Sequence, residues 1–235
     1  MATETIDKSK VIRDAATVVL IRDADTKPRV LMGQRGAKAA FMPNKFVFPG
    51  GAVDKADHGL PLGDKGAEPC RTRLGEDAKD GIGPALLAAA IRELFEETGQ
   101  ILGTPGDWPT TPPPTWEGFA RAGYLPSPDG LAFVFRAITP PGRSRRFDAR
   151  FFVADAARIK TDPDDFSRAE DELSHLQWIA LSDVRDFDLP FITQVVLAEI
   201  AGRLPDLDAP ASVPYFKNDE EESLFIRLGG QSPLA

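Results

Sequence analysis

The chain has 235 residues, 42% of them hydrophobic, and a formal net charge of −8. That supplies one substantial core, and the acidic balance argues against nucleic-acid backbones and anionic membrane surfaces as partners. A single cysteine, Cys70, excludes an intrachain disulfide, two histidines leave little for a His-rich zinc centre, and no apolar run is long enough to span a bilayer.

Residues 1–10 read as a polar tail without the apolar core of a secretory signal. AATVVLIRD (15–23) and RVLMGQR (29–35) read as strands, rich in β-branched residues and joined by the turn-like DADTKP. FVFPGG (46–51) reads as a short strand ending in a glycine loop. Residues 58–83 are dense in glycine and charge and show no periodicity, so they read as a surface insertion. Cys70, inside that stretch, reads as an incidental surface residue.

GPALLAAAIRELFEETG (83–99) predicts a helix with proline at its start and glycine past its end. A Pro-rich loop follows (103–115), then a short helix around 116–122. LAFVFRAITP (131–140), FDARFFVADA (147–156) and SHLQWIAL (174–181) read as strands. PFITQVVLAEIAGRL (190–204) has helical periodicity. The Pro- and acid-rich stretch from 205 holds one strand candidate, SLFIRL (223–228). Strands on both sides of a central helix, then a last helix, predict one α+β domain with a sheet sandwiched between helices.

The central helix raises the chemical question. At 100° per residue, Leu87, Ile91, Leu94, Phe95 and Thr98 share one face, and Glu93, Glu96 and Glu97 share the other. Ala85, Ala89 and Ala90 flank the acids and leave room for an approach. Clustered carboxylates fit a solvated acidic face, or a site for a hard cation such as Mg²⁺ or Mn²⁺. Spacing alone leaves both open.

FPGGAVDKAD (48–57) together with RELFEETG (92–99) resembles the signature of the Nudix hydrolases: a glycine, five residues, an acid, a spacer, then R-E-apolar-x-E-E-x-G. Gly51 and Asp57 stand at the first glycine and acid; Arg92, Glu93, Leu94, Glu96, Glu97 and Gly99 match the second half. Asp57 replaces the usual Glu, and Gln100 stands where an apolar residue is usual. The spacer, residues 58–91, holds 34 residues where the common box has seven. An interrupted box, with FVFPGG and RRFDARFF around it, is similar to the branch that includes peroxisomal coenzyme A diphosphatases. Arg35 fits an additional motif that coenzyme A-cleaving Nudix enzymes can carry, whereas Gly36, Ala40 and Asn44 depart from it, and Ala137 stands where the branch has a tryptophan before its Thr-Pro segment.

The resemblance implies an α/β/α sandwich with a mixed sheet over 11–204, an insertion at 58–83, a tail at 1–10 and a C-terminal helix followed by an extension at 205–235. It implies a Mg²⁺- or Mn²⁺-dependent diphosphatase acting on coenzyme A or its derivatives. The alternatives are an ADP-ribose, dinucleotide or nucleotide-sugar diphosphatase, or a non-catalytic ligand-sensing module. Glu96 and Glu97 are then metal ligands, Glu93 a further ligand or the general base, and Gly51 a carbonyl ligand. Arg92 orients the acids, Asp57 supports them from behind, and Glu172 is a further base or ligand. Arg35, Arg143, Arg145 and Arg146 are candidate phosphate readers. The expected partner is a small diphosphate, with a homodimer open. The single cysteine suits a reducing compartment, and a cytoplasmic setting is expected; QSPLA is not a Ser-Lys-Leu type address, so the relatives' peroxisomal setting is not carried over.

Overall fold

A computed structural model describes residues 11–218 and 222–229. In chain order the elements begin β1 (Ile12–Arg22), β2 (Arg29–Arg35), β3 (Phe46–Val47), β4 (Gly50–Ala52), α1 (Cys70–Leu74) and α2 (Ile82–Thr98). Then come β5 (Gly103–Pro105), α3 (Glu117–Arg121), β6 (Tyr124–Pro126), β7 (Ala132–Ile138) and β8 (Arg146–Asp155). The chain continues with β9 (Leu173–Ala180), α4 (Phe191–Ala201), β10 (Val213–Asn218) and β11 (Ser223–Leu228).

Nine strands form one mixed sheet in the order β11-β10-β7-β8-β1-β2-β3, with β4 on β1 and β9 on β2. The β1–β8 and β10–β7 pairs are parallel; the other pairs are antiparallel. β5 and β6 pair separately on either side of the Pro-rich loop.

Strand alternation divides the core. On β1, Ala16, Val18 and Leu20 face α2, joining Leu86, Ile91 and Leu94. Val19 and Ile21 face the opposite way, joining Val196, Leu197 and Ile200 of α4. Two apolar layers on one sheet account for the sandwich, because successive side chains of a strand point to opposite faces. The fold class read from the sequence is therefore the one observed.

Three local expectations are corrected. Cys70 is buried, and its Sγ accepts a 3.3 Å hydrogen bond from the Phe133 amide. It sits on the inner side of α1, where burial pushes the thiol pKa up. The 58–83 stretch is not all surface: Leu74 is core, and buried Arg73 donates to the Pro210 carbonyl and, at 2.7 Å, to that of Ala211. The residues beyond 204 are likewise more than an appendage. β10, which the sequence reading missed, joins β7 in the sheet and carries β11. Its Val213 and Tyr215 are buried in the α2-side core.

Candidate active site

α2 delivers the carboxylates, and it is covered almost all round. Ala85, Ala88, Ala89 and Ala90 are buried, so the small side chains that read as an open approach let the sheet come close instead. The helix ends at Gly99, whose φ of 75° suits glycine and whose amide caps the Phe95 carbonyl at 2.7 Å. Glu97 is 2% exposed, and the Glu93 and Glu96 side chains are 12% and 20% exposed. A solvated acidic face is excluded by that burial.

Arg92 organises the acids. Its Nη1 donates to Glu93 at 2.9 Å and to Glu96 at 2.7 Å. Its Nε and Nη2 grip both oxygens of Asp57 at 2.9 and 3.0 Å, and Nη2 also donates to the Ala52 carbonyl. Asp57 closes a short 3₁₀ turn: its Oδ2 accepts from the Asp54 amide, and Asp54 accepts from Ala56. The aspartate therefore reaches Arg92 across 34 intervening residues because the two ends of the insertion lie side by side, the condition under which a long insertion costs little. Burial opposes the Arg92 charge, but its hydrogen bonds to Asp57 and the surrounding carboxylates push its pKa up on balance.

The β4 glycines press against this cluster. The Gly50 amide donates to Glu97 Oε2 at 2.7 Å, and a Cβ at Gly51 would fall on the Glu93 carboxylate. Only glycine leaves that space. Glu97 Oε1 is buried with no hydrogen-bond partner. Burial pushes the Glu93 pKa up to about 7, with Arg92 pulling it down and Glu96 and Glu172 pushing it up. Burial also raises Glu96, against the pull of Arg92. Glu97 is pushed well up by burial and by the charge of Glu93, with the Gly50 hydrogen bond opposing. Carboxylates so crowded and so dry favour their neutral forms unless positive charge arrives.

Glu172 and Arg35 join from the other side of the sheet's end. They pair at 2.8 Å, and their charges are felt at Glu97. The loop before β9 is pinned to the helix end by the Glu170 amide on the Glu96 carbonyl at 2.7 Å. Arg143 and Arg145 are exposed in the β7–β8 turn, and among the described residues no contact ties them to the carboxylates. The turn touches the loop after β2 through Ser144 Oγ and the Ala40 carbonyl. Arg146 departs from the exposed turn in which the sequence placed it. It is 2% exposed, and its guanidinium donates to the Thr139 and Asn218 carbonyls at 3.0 Å each. Those carbonyls tie it into the sheet.

A sequence profile of the NUDIX domain matches residues 11–199. The chain belongs to the Nudix family. A curated relative from Caenorhabditis elegans, "Putative nudix hydrolase 7", is 32% identical over 179 residues, covering 71% of this chain and 51% of its own length. The chain thus spans about half of that relative. The crystal structure of a NUDIX hydrolase from Alicyclobacillus acidocaldarius is similar with a TM-score of 0.60 and 26% identity, covering 82% of this chain and 92% of its own.

Seen as a Nudix box, the departures have local causes. Gln100, where an apolar residue is usual, is fully buried, but its amide is spent: Nε2 donates to the Asp162 and Asp165 carbonyls at 3.1 and 3.0 Å. It anchors the loop that leads to Glu172. Nudix hydrolases generally use divalent cations, and the residues here fit one. The fit rests on the orphaned Glu97 oxygen, the raised carboxylates and the clearance that Gly51 leaves beside Glu93. Among the described residues no three acid, thiol or imidazole groups are already drawn into a closed metal cage. Arg92, bridging Glu93 and Glu96, is the charge partner of both. The Gly50 amide on Glu97 and the Ala52 carbonyl on Arg92 are backbone parts of the site that a side-chain motif does not announce; the paired glycines of FPGG are their one sequence signal.

Proposed function

We propose that this chain is a Mg²⁺- or Mn²⁺-dependent hydrolase of a nucleoside diphosphate linked to another moiety, with coenzyme A and its derivatives as the leading substrates. The observation that carries the reaction class is Glu97 Oε1, buried and unpartnered beside Glu93 in a cluster pinned by Arg92. Glu96, Glu97, Glu93 and the Gly51 carbonyl would hold the cation, which supplies charge neutralisation for the diphosphate and a lowered pKa for water. Arg92 fixes the directions of Glu93 and Glu96, and Asp57 fixes Arg92. Proton removal from the attacking water falls to Glu93 or to Glu172. Glu172 is held by Arg35, so a diphosphate oxygen that takes Arg35 releases it.

The coenzyme A assignment is supported by the interrupted box, by FVFPGG and RRFDARFF, and by the spacing of Arg35; Ala40, Asn44 and Ala137 weigh against it. The test is mass spectrometry of products, with kcat/KM for coenzyme A, dephospho-coenzyme A, ADP-ribose and NADH in Mg²⁺ and in Mn²⁺. Coenzyme A should give 3′,5′-ADP and 4′-phosphopantetheine. Cleavage of ADP-ribose or NADH with a far higher kcat/KM would replace the substrate and keep the reaction. Binding without turnover of every diphosphate would replace the reaction with ligand sensing.

A further inference from the structure

The α2-facing side of the sheet carries a second charged site, lined by none of the box residues. Across four strands, Ala16 faces Arg150, Arg150 faces Arg136, and Arg136 faces Tyr215. Like charges directly opposite one another are destabilising, and both arginines are buried, Arg150 at 1% exposure. Asp148 offsets them. It accepts two hydrogen bonds from Arg136, at 2.9 and 2.7 Å, and lies 3.1 Å from Arg150 Nη1. Asp14 adds a 2.7 Å bond to the same Nη1.

Arg136 is complete. It also donates to the Glu76 and Asp77 carbonyls and stacks on the Tyr215 ring, 4.2 Å from its centroid. Arg150 is not complete. Its Nε and Nη2 are buried without a partner, and burial together with the Arg136 charge pushes its pKa down. Those two nitrogens form the side edge of the guanidinium, the fork that matches two oxygens of one phosphate or carboxylate.

Arg150 lines an open cavity of about 530 Å³, together with Arg136, Asp14 and Asp148. Two further cations stand on its lining, Lys79 on Asp14 at 2.8 Å and Lys217 on Asp77 at 2.7 Å. Four cations against three aspartates leave one positive charge in excess (4 − 3), on a chain whose net charge is −8. We propose that this cavity binds a phosphate-type oxyanion, with Lys79 and Lys217 at the rim and the Arg150 fork at the floor. The fork is covered, so the anion meets the lysines first. Lys79 is 73% exposed, which makes its pair with Asp14 weak and leaves the lysine free to turn to an anion. Asp77 and Lys79 belong to the insertion, and Tyr215 and Lys217 to the segment beyond 204, so the site is built where those two additions meet the common fold.

The phosphate can be free or can be a second phosphate on the substrate. The first arm of the test uses the full chain in EDTA, titrated with inorganic phosphate against chloride of equal ionic strength, and read by melting temperature and calorimetry. The wild type and Glu97→Gln should both show saturable binding. Lys79→Ala/Lys217→Ala, which changes only partly or fully exposed side chains, should bind about tenfold more weakly or worse with unchanged circular dichroism. Arg150→Lys, which keeps a charge and removes the fork, should weaken binding similarly. No saturable phosphate effect, or undiminished binding by the double lysine variant, overturns the proposal.

The second arm alone rests on the proposed hydrolysis, and loss of hydrolysis leaves the first arm intact. It compares kcat/KM for coenzyme A and dephospho-coenzyme A in the wild type and the double lysine variant. A preference for the additional phosphate that narrows about tenfold in the variant assigns the cavity to the substrate's own phosphate. An unchanged preference, with phosphate binding still dependent on the lysines, assigns it to a free anion.

Discussion

On the C-terminal half of α2, Glu93 and Glu96 share one arginine while Glu97 rests on the Gly50 amide; on the β1–β8–β7–β10 face, two arginines and two lysines share three aspartates. In the first region Glu97 keeps a buried oxygen without a partner, and in the second Arg150 keeps two buried nitrogens without one. The pKa shifts run in opposite chemical senses. Burial pushes the glutamate pKa values up and the Arg150 pKa down, in each case against the charged form. A network built only for stability closes on itself, as Arg92–Asp57 does with two hydrogen bonds between nearly unexposed side chains. The difference between the closed pair and the two open networks separates scaffolding from binding chemistry: one open network is short of a cation, the other of an anion.

The largest effect expected from breaking this comparison is at Glu97. Glu97→Gln should lower kcat by several orders of magnitude, because it removes a charge the cation needs. Its amide oxygen can still accept from Gly50, and it relieves repulsion with Glu93, so the metal-free melting temperature should be unchanged or higher. A variant with a third of wild-type activity would remove Glu97 from the ligand set.

Next comes the closed pair. Asp57→Ala should cost about 3–5 kcal/mol in urea unfolding, since it breaks the two-bond pair at the buried Nε–Nη2 edge of Arg92 and leaves that edge without its carboxylate. A loss below about 1 kcal/mol would mean that water or Glu93 and Glu96 compensate, and the scaffold role would fall.

A smaller effect sharpens the contrast through pH. Burial raises the Glu93 pKa in the metal-free fold to about 7, from the 4.5 of a free glutamate. The raised value means the folded state holds the proton more tightly, so the stability from this group is full below pH 4.5 and is lost as pH rises through 7. In EDTA, the wild type should therefore lose stability relative to Glu93→Gln between about pH 5 and 8, by on the order of 2 kcal/mol. Parallel pH profiles for the two proteins would show that Glu93 is not strained in the fold.

The sequence made the box region legible because its chemistry lies on one helix and one loop. Arg92, Glu93, Glu96 and Glu97 are neighbours by helical spacing, and Arg92 reaches Glu96 at i+4 as that spacing requires. Their burial was not legible. Ala89 and Ala90 read as clearance, whereas they are the contact surface of α2 in the core. The arginine cavity was invisible for a different reason: its parts come from β1, the insertion, β7, β8 and β10, and only the sheet's register brings them together. Its one sequence signal was Asp148 and Arg150 at alternate positions of RFDARFF, polar residues on an inward side of a strand. β10 escaped because VPYFKN is short and stands among prolines and acids.

The most direct test of the carboxylate region as the cation-dependent centre is the melting temperature of the full chain titrated with Mg²⁺. A cation that binds only the folded cluster stabilises it by mass action, so the wild type should show a saturable rise and Glu96→Gln/Glu97→Gln a much smaller one. Equal shifts in the two proteins would place the cation elsewhere and contradict the account.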